Sequence, residues 1–537
     1  MKFMLTDCAK KEGFALPTVL IASVVMLIVL LSAIGASASV RSAIDSQYYN
    51  QLGREAVESG LALATECLKL NTAPNWTDAA PLRPTSGCVG SVPEDGFVID
   101  TAQVKTSFTV GAYTTDSSGH TSITAKGQVS LRRLSAPTET WRSYEQTSRR
   151  TVEIIPLFAT LSGNDSHTCA LASSQVFCWG DNTYGQLGNG TTSSSLYPKG
   201  IKYVNGLVAG TITDIGTGNA HTCALSQQKV WCWGTGSYGQ LGTGGTPASS
   251  PLPTLVGGLL AGKTVTSLTV GAYHTCVVAT GKAYCWGWNP DGQLGDGTTA
   301  NKLIPTAVNT TSAGNPLNGK TITKISTQDY HSCVIISGGT VACWGRNANG
   351  QLGNNTTTNS AVAVTSVAGS VTDIGTGAHH TCVIAVSRVY CWGLNGQGQL
   401  GYGDQVDRSQ HAGPVGGVVM GTDPVTALAV GDYHTCAVAL GKAYCWGRNY
   451  DGPGQLGDNT QGSKLSPVAV YTGNFLSGKT IVDVSASDFG SCAITDKKAA
   501  YCWGKNTYGQ VGDNTTLNRW QAVKVYTANF KPAYTDF

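Results

Sequence analysis

HTCALASSQVFCWGDNTYGQLG, residues 167–188, holds two cysteines nine positions apart, Cys169 and Cys178. A histidine stands two places before the first, and Trp-Gly follows the second. The pattern returns six times, with the tryptophan of Cys-Trp-Gly at 179, 233, 286, 344, 392, 446 and 503, a period of 48 to 58 residues. Periods of this size mean a propeller, a solenoid or another array of one repeated unit. Each unit reads as short strands. In the second they are TITDIG (211–216), HTCAL (221–225) and a third starting at Lys229, separated by glycine and polar turns. The predicted fold is therefore mainly β, with a seven-bladed β-propeller over 156–537 that closes on itself and leaves only short edges. On this reading the final strand, RWQAVKVY (519–526), completes the first blade beside LFATLSG (157–163).

The cysteines follow from the same strands. If Cys223 lies opposite Cys232, then Ala224 faces Trp231 and Leu225 faces Val230, closing through a four-residue loop. Both sulfurs then share one face of a hairpin, at a separation a disulfide can span. The predicted pairs are Cys169–Cys178, Cys223–Cys232, Cys276–Cys285, Cys333–Cys343, Cys382–Cys391, Cys436–Cys445 and Cys492–Cys502. Two of them are ten residues apart, where a longer turn or a bulge compensates. Zinc competes, because His221 and Cys223 fall on one face, but each repeat offers three ligands where zinc wants four. The seventh repeat keeps both cysteines and has Gly490 in place of histidine, which favours disulfides. Reduced core thiols are the third alternative. Regular, even-numbered cysteines point to an oxidising compartment.

The motif GxxHTCAL…VxCWGxNxxGQLG resembles the regulator of chromosome condensation repeat over about 380 residues. Gly-Gln-Leu-Gly recurs six times, and Gly-Gln-Val-Gly stands at 509–512. The resemblance implies the propeller. The family's repeat does not need cysteines, so these are an addition. They also argue against carrying over the family's nuclear exchange-factor activity.

The N-terminus carries a second signal. Phe14 to Val40 is a run of 27 residues without a charge, preceded by Lys2, Lys10 and Lys11. As a helix it spans about 40 Å, enough for a bilayer core. A secretory signal would have a shorter apolar stretch with its cleavage site after it; a plain membrane anchor is the other alternative. The stretch resembles a type IV prepilin, whose basic leader ends in glycine before phenylalanine. The implied processing site is Gly13–Phe14. Cleavage there also removes Cys8. Thr18 stands where that family usually has Glu, as in some minor pilins. The expected organisation is a leader (1–13), a long helix (14–68), a small β head (69–155) and the propeller (156–537). In the head, SFTVGAYTT and HTSITAKGQVSLR read as strands joined by a hairpin turn at DSSGH, with RRTVEIIP as a further strand. Cys67 and Cys88 either staple helix to loop or are two free buried cysteines.

No Ser-His-Asp order, HExxH or phosphate loop is defensible, so no enzyme, cofactor or metal is expected. A net charge of +3 gives no field for nucleic acid. Asn/Asp-rich turns such as NPDGQLGDG lack the full carboxylate set of a calcium loop. Candidate binding residues are the variable positions of an otherwise fixed repeat. One set precedes the histidine position: Tyr273, Tyr330, His379, Tyr433 and Phe489. A second follows Trp-Gly: Tyr184, Tyr238, Trp288, Tyr450 and Tyr508. Aromatic loops favour interfaces; the alternative is that they are packing spacers. The expected function is a minor pilin-like surface protein, a fibre-tip adhesin whose propeller binds an extracellular protein or glycan. Its other partners are pilin subunits through the N-terminal helix, the prepilin peptidase, and the membrane before assembly. The alternatives are a minor pseudopilin priming a secretion or DNA-uptake fibre, and a membrane-anchored extracellular binding or inhibitor protein.

Overall fold

The computed structural model describes residues 38–69, 80–83 and 99–527, apart from 102, 113, 116–119, 134–135, 154–156, 173, 205, 368, 417–422, 450–451 and 474. Gly13, Phe14, Thr18, Cys88 and Tyr450 lie outside the described residues, as does nearly all of the apolar run. No helix among the described residues is long and apolar enough to cross a membrane.

The chain forms two compact units. In the first, helix α1 (Ala38–Lys69) buries Leu52, Ala56, Leu61 and Ala64, one stripe at helical spacing. It packs on an antiparallel sheet built from Val104–Val110, His120–Arg133 and Ala136–Glu153, with two short edge strands. Close approach needs glycine at 127, where a Cβ would sit 2.3 Å from the Gly53 carbonyl of α1. The expected hairpin is present, with Thr115 opposite Thr121. The strand expected at 149–156 starts instead at Ala136 and runs 18 residues. Its sequence, TETWRSYEQTSRR, lacks the apolar alternation that reveals a half-buried strand, because its half-buried positions 144, 146 and 148 hold Tyr, Gln and Ser. Cys67 is disulfide-bonded.

The second unit holds seven antiparallel sheets. Six have four strands each. In blade 5 (Val371–Gly393) the fourth strand shrinks to one bridge, Gly393 to Arg408. The hairpin register is the one the cysteines require: Cys223 opposite Cys232, Ala224 opposite Trp231, Leu225 opposite Val230. All seven disulfides form, with Cα–Cα distances of 4.0–4.2 Å, the close spacing of non-hydrogen-bonded pairs. The loop is tighter than expected. Ser226 pairs with Lys229, leaving a two-residue turn, Gln227-Gln228, with both φ positive (49° and 65°). The ten-residue pairs have three-residue turns, 337–339 and 496–498.

Closure differs from expectation. The final strand, Arg519–Lys524, pairs with Ala500–Gly504 in its own blade, and blade 1 (Phe158–Gly200) is complete without it. The ring is closed by side-chain packing. Phe158, Ala170 and Trp179 of blade 1 share a core with Ile494, Val511 and Val525 of blade 7 (Ile481–Lys524). The other six joints have equivalent cores.

The repeat motif is the joint, written in sequence. The Gln186 carbonyl receives Thr222 Oγ1 and Trp233 Nε1 of the next blade, both at 2.8 Å. A Thr or Ser makes this bond at all seven joints, at 2.8–3.1 Å. The indole makes it at six; Trp446 Nε1 has no partner among the described residues. Gly188 ends the motif because the indole lies against it. Its φ is 67°, and a Cβ would stand 2.6 Å from Trp233 Nε1. Asn182 Oδ1 accepts the Leu187 N–H, and its Nδ2 donates to the Thr191 and Ser193 carbonyls, so one amide fills the loop's interior.

The histidine serves the same joint. His167 Nε2 lies 2.9 Å from Thr222 Oγ1, whose own proton goes to Gln186, so the imidazole donates. Six joints carry this bridge at 2.7–3.1 Å. Burial holds these imidazoles near pKa 3 to 4, neutral, with Nδ1 unpartnered. The exception is the joint between blades 7 and 1. Gly490 replaces the histidine there, and a cavity of about 20 Å³ remains beside Thr168, Ser487 and Gly490.

Candidate binding face

The first strand of each blade is innermost, packed against the first strands of its neighbours. The loop from first to second strand therefore approaches the axis. Its last residue precedes the histidine position. That residue's carbonyl accepts the N–H of the residue after Trp-Gly, as in Trp288 to Tyr273, Arg346 to Tyr330, Arg448 to Tyr433 and Lys505 to Phe489. These two positions stand side by side in every blade.

With Tyr238 and Tyr508, which lie three residues beyond the second position, they carry a continuous arc. Tyr238 meets Tyr273 edge-on at 5.6 Å, Tyr273 meets Trp288 at 5.8 Å, and Trp288 meets Tyr330 at 5.9 Å. Tyr330 stacks on His379 at 5.5 Å, and His379 lies 5.7 Å from Tyr433. Cations carry the arc onward. Arg448 covers Tyr433 at 5.6 Å and Phe489 at 5.2 Å, and Lys505 covers Phe489 at 5.0 Å and Tyr508 at 5.9 Å. Arg346 lies over Tyr330 at 5.0 Å. The arc runs from Tyr238 of blade 2 to Tyr508 of blade 7; at the two positions blade 1 has Ser166 and Asp181, and blade 2 has Ala220 and Thr235.

The predicted residues divide accordingly. Tyr238, Tyr273, Trp288, Tyr330, His379, Tyr433, Phe489 and Tyr508 belong to the arc. Tyr184 is 46% exposed and makes no ring contact among the described residues. Trp288 does not occupy the same repeat position as Tyr184 and Tyr238: it follows Trp-Gly directly, and they lie three residues further on. Sequence reasoning missed Arg346, Arg448 and Lys505. The signal was available, since all three directly follow Trp-Gly.

Beneath the rings is an acidic layer, two residues before the histidine position: Asp165, Asp329, Asp432 and Asp488, with Asn219 at the same place in blade 2. Gln328 Nε2 of blade 4 reaches Asp432 Oδ1 of blade 6 at 3.3 Å, past blade 5, where the position holds Ala378. Asp432 and Asp488 hydrogen-bond each other. Burial, reinforced by the neighbouring carboxylates, holds Asp329 and Asp488 well above the usual carboxylate range. Burial also pushes Asp432 up to about 6. Lys505 Nζ pairs with Asp165 at 2.9 Å. Burial lowers His379 to about 4, and the Arg346 charge adds to the effect. Rings, cations and carboxyls on one face can hold another protein's polar and charged side chains. They include no nucleophile–base pair.

The model of the regulator of chromosome condensation (RCC1) repeat matches residues 173–225, 228–278, 280–335, 338–384, 387–438 and 441–494. The ultraviolet-B receptor UVR8 of Arabidopsis thaliana is 30% identical over 369 residues, covering 67% of this chain and 79% of that protein. The E3 ubiquitin-protein ligase HERC2 of Homo sapiens is 31% identical over 214 residues; the match spans 39% of this chain but 4% of that protein. Among solved structures, yeast RCC1 (Prp20) bound to Kap60 superposes with a TM-score of 0.56 at 21% identity, covering 65% of this chain and 83% of that one. Human WBSCR16 superposes with a TM-score of 0.55 at 21% identity, covering 63% and 87%. These structures share the fold.

Proposed function

The chain belongs to the RCC1-repeat family, and from that premise we propose that its propeller is a protein- or glycan-binding head displayed outside the cell on a type IV pilin-like stem. The observation that carries the binding role is the arc from Tyr238 to Tyr508, which concentrates aromatic and cationic side chains on one rim. Aromatic residues and arginine are the side chains that dominate interface energetics. Prp20p of Saccharomyces cerevisiae, which shares the fold, binds Gsp1p and histones, so this architecture serves protein binding elsewhere. Export is supported by the seven disulfides, which an oxidising compartment maintains. The pilin-like stem is supported by the Gly13–Phe14 junction before an uncharged run. In this reading the protein is no enzyme; it attaches its cell to a surface or another cell.

The test is attachment by cells carrying Tyr330→Ala with Tyr433→Ala in the full-length chain. The expected result is attachment reduced at least tenfold with fibre number unchanged. Unchanged attachment would refute the binding role of the arc. Loss of the fibres themselves on deleting 156–537 would favour the priming pseudopilin instead.

A further inference from the structure

Four carboxyls and one amide occupy one position of the repeat and converge at the axis. The bonds that tie them are few: Gln328 to Asp432, Asp432 to Asp488, Lys505 to Asp165. A second observation is independent of their charge. Asp329 Oδ1 and Asp488 Oδ1 accept no hydrogen bond, on side chains 9% and 7% exposed. Asn219 Oδ1, in the same layer, also has no partner. Buried acceptors are rarely left unmatched, because each forfeits its hydration without replacement. Three unmatched acceptors in one layer form a receptor for a group bearing several N–H donors.

The walls narrow the class. The layer lies beneath Tyr330, Tyr433 and Phe489, which directly follow Asp329, Asp432 and Asp488 in sequence. Aromatic faces attract cations, and an alkyl stem packs on them at the same time. Among the described residues no three His, Cys, Asp or Glu side chains are placed to hold a metal ion. A lysine ammonium carries three donors and no acceptor, which matches three unfilled acceptors.

We propose that the axial layer of Asn219, Asp329 and Asp488 is the specificity pocket of this face and takes a lysine side chain presented by the partner protein. The inference deepens the binding-face reading and rests on it.

The test is calorimetric titration of the full chain with N-acetyl-lysine N-methylamide, using the norleucine analogue as the uncharged control. Saturable binding of the lysine compound alone, weakened at least tenfold by Asp329→Asn with Asp488→Asn, is the expected result. Asparagine keeps the shape of the carboxyl, and an unchanged melting temperature checks the fold. A second measurement uses the wild type only: the affinity for the lysine compound should fall as salt concentration rises, as a charge-paired ammonium requires. Absence of saturable binding, equal binding of norleucine, or Ca²⁺ binding that displaces the lysine compound would each overturn the proposal. Failure here, with attachment still dependent on Tyr330 and Tyr433, leaves the binding-face reading standing.

Discussion

Removing one disulfide, by Cys223→Ala with Cys232→Ala, should lower the propeller's stability by about 3 kcal/mol. The bridge closes a short loop, 9 residues in sequence separation, and the chain-entropy relation gives roughly 9 cal/mol/K for a loop of this length, or about 2.7 kcal/mol at 25 °C. The native hairpin keeps its other ties, since Ala224–Trp231 and Leu225–Val230 stay paired. Most of the effect therefore belongs to the unfolded chain. Seven such bridges sum to roughly 20 kcal/mol, above the usual net stability of about 5–15 kcal/mol for a domain. Full reduction should thus unfold the ring near room temperature. The assay is urea unfolding followed by tryptophan fluorescence, with alkylation and mass measurement to count free thiols. A fully reduced protein with an unchanged urea midpoint would refute the reasoning and make the cysteines simple core residues.

Cys492–Cys502 should be reduced first, because Cys492 is 7% exposed and borders the cavity left by Gly490, whereas the other twelve propeller cysteines are 0% exposed; peptide mapping of partially alkylated protein reads the order, and random order contradicts it. Thr222→Val removes both the Gln186 bond and the His167 acceptor, so it should cost about 2–4 kcal/mol, while Thr168→Val loses only the Gln510 bond and should cost about half that; equal costs in urea unfolding would contradict the histidine bridge. Gly188→Ala forces a Cβ onto the Trp233 indole at positive φ and should destabilise by more than about 1 kcal/mol, read as a lower melting temperature. Six imidazoles held at about 3 to 4 in the fold, against 6.5 when exposed, leave the unfolded chain binding more protons, so stability should fall as pH drops from about 6.5 toward 3. Asp214, Asp329, Asp432, Asp483 and Asp488 are raised and act oppositely, gaining stability as pH falls toward 3.8; the histidine share is read by comparison with His221→Gln, whose urea midpoint should lose less than the wild type's between pH 6.5 and 4, and an equal loss would contradict it.

Much of this was written in the repeat. Period-two alternation fixed which side chains share a face, so the cysteine spacing determined the hairpin register before any coordinates. Closure was not legible. Strand pairing within a blade is local, but which blade receives the last strand depends on contacts hundreds of residues apart, such as Trp179 to the Gln510 carbonyl. The long strand Ala136–Glu153 was hidden because its half-buried positions include the polar Gln146 and Ser148, so polarity does not alternate with burial. At the candidate site the aromatic positions stood out because they vary within a fixed frame. The cations at 346, 448 and 505 vary equally, but a charged residue in a loop looks ordinary until rings are found beneath it. The acidic layer was less visible still. Asp165, Asp329, Asp432 and Asp488 are single acids in separate repeats, and only the ring brings them together.

The central claim, a disulfide-locked propeller held outside the cell on a pilin-like stem, is tested most directly by immunogold microscopy. An antibody to the propeller is applied to unpermeabilised cells and to fibres sheared from them. The account predicts label on intact cells and at the ends of the sheared fibres. Label that appears only after the cells are permeabilised would contradict it.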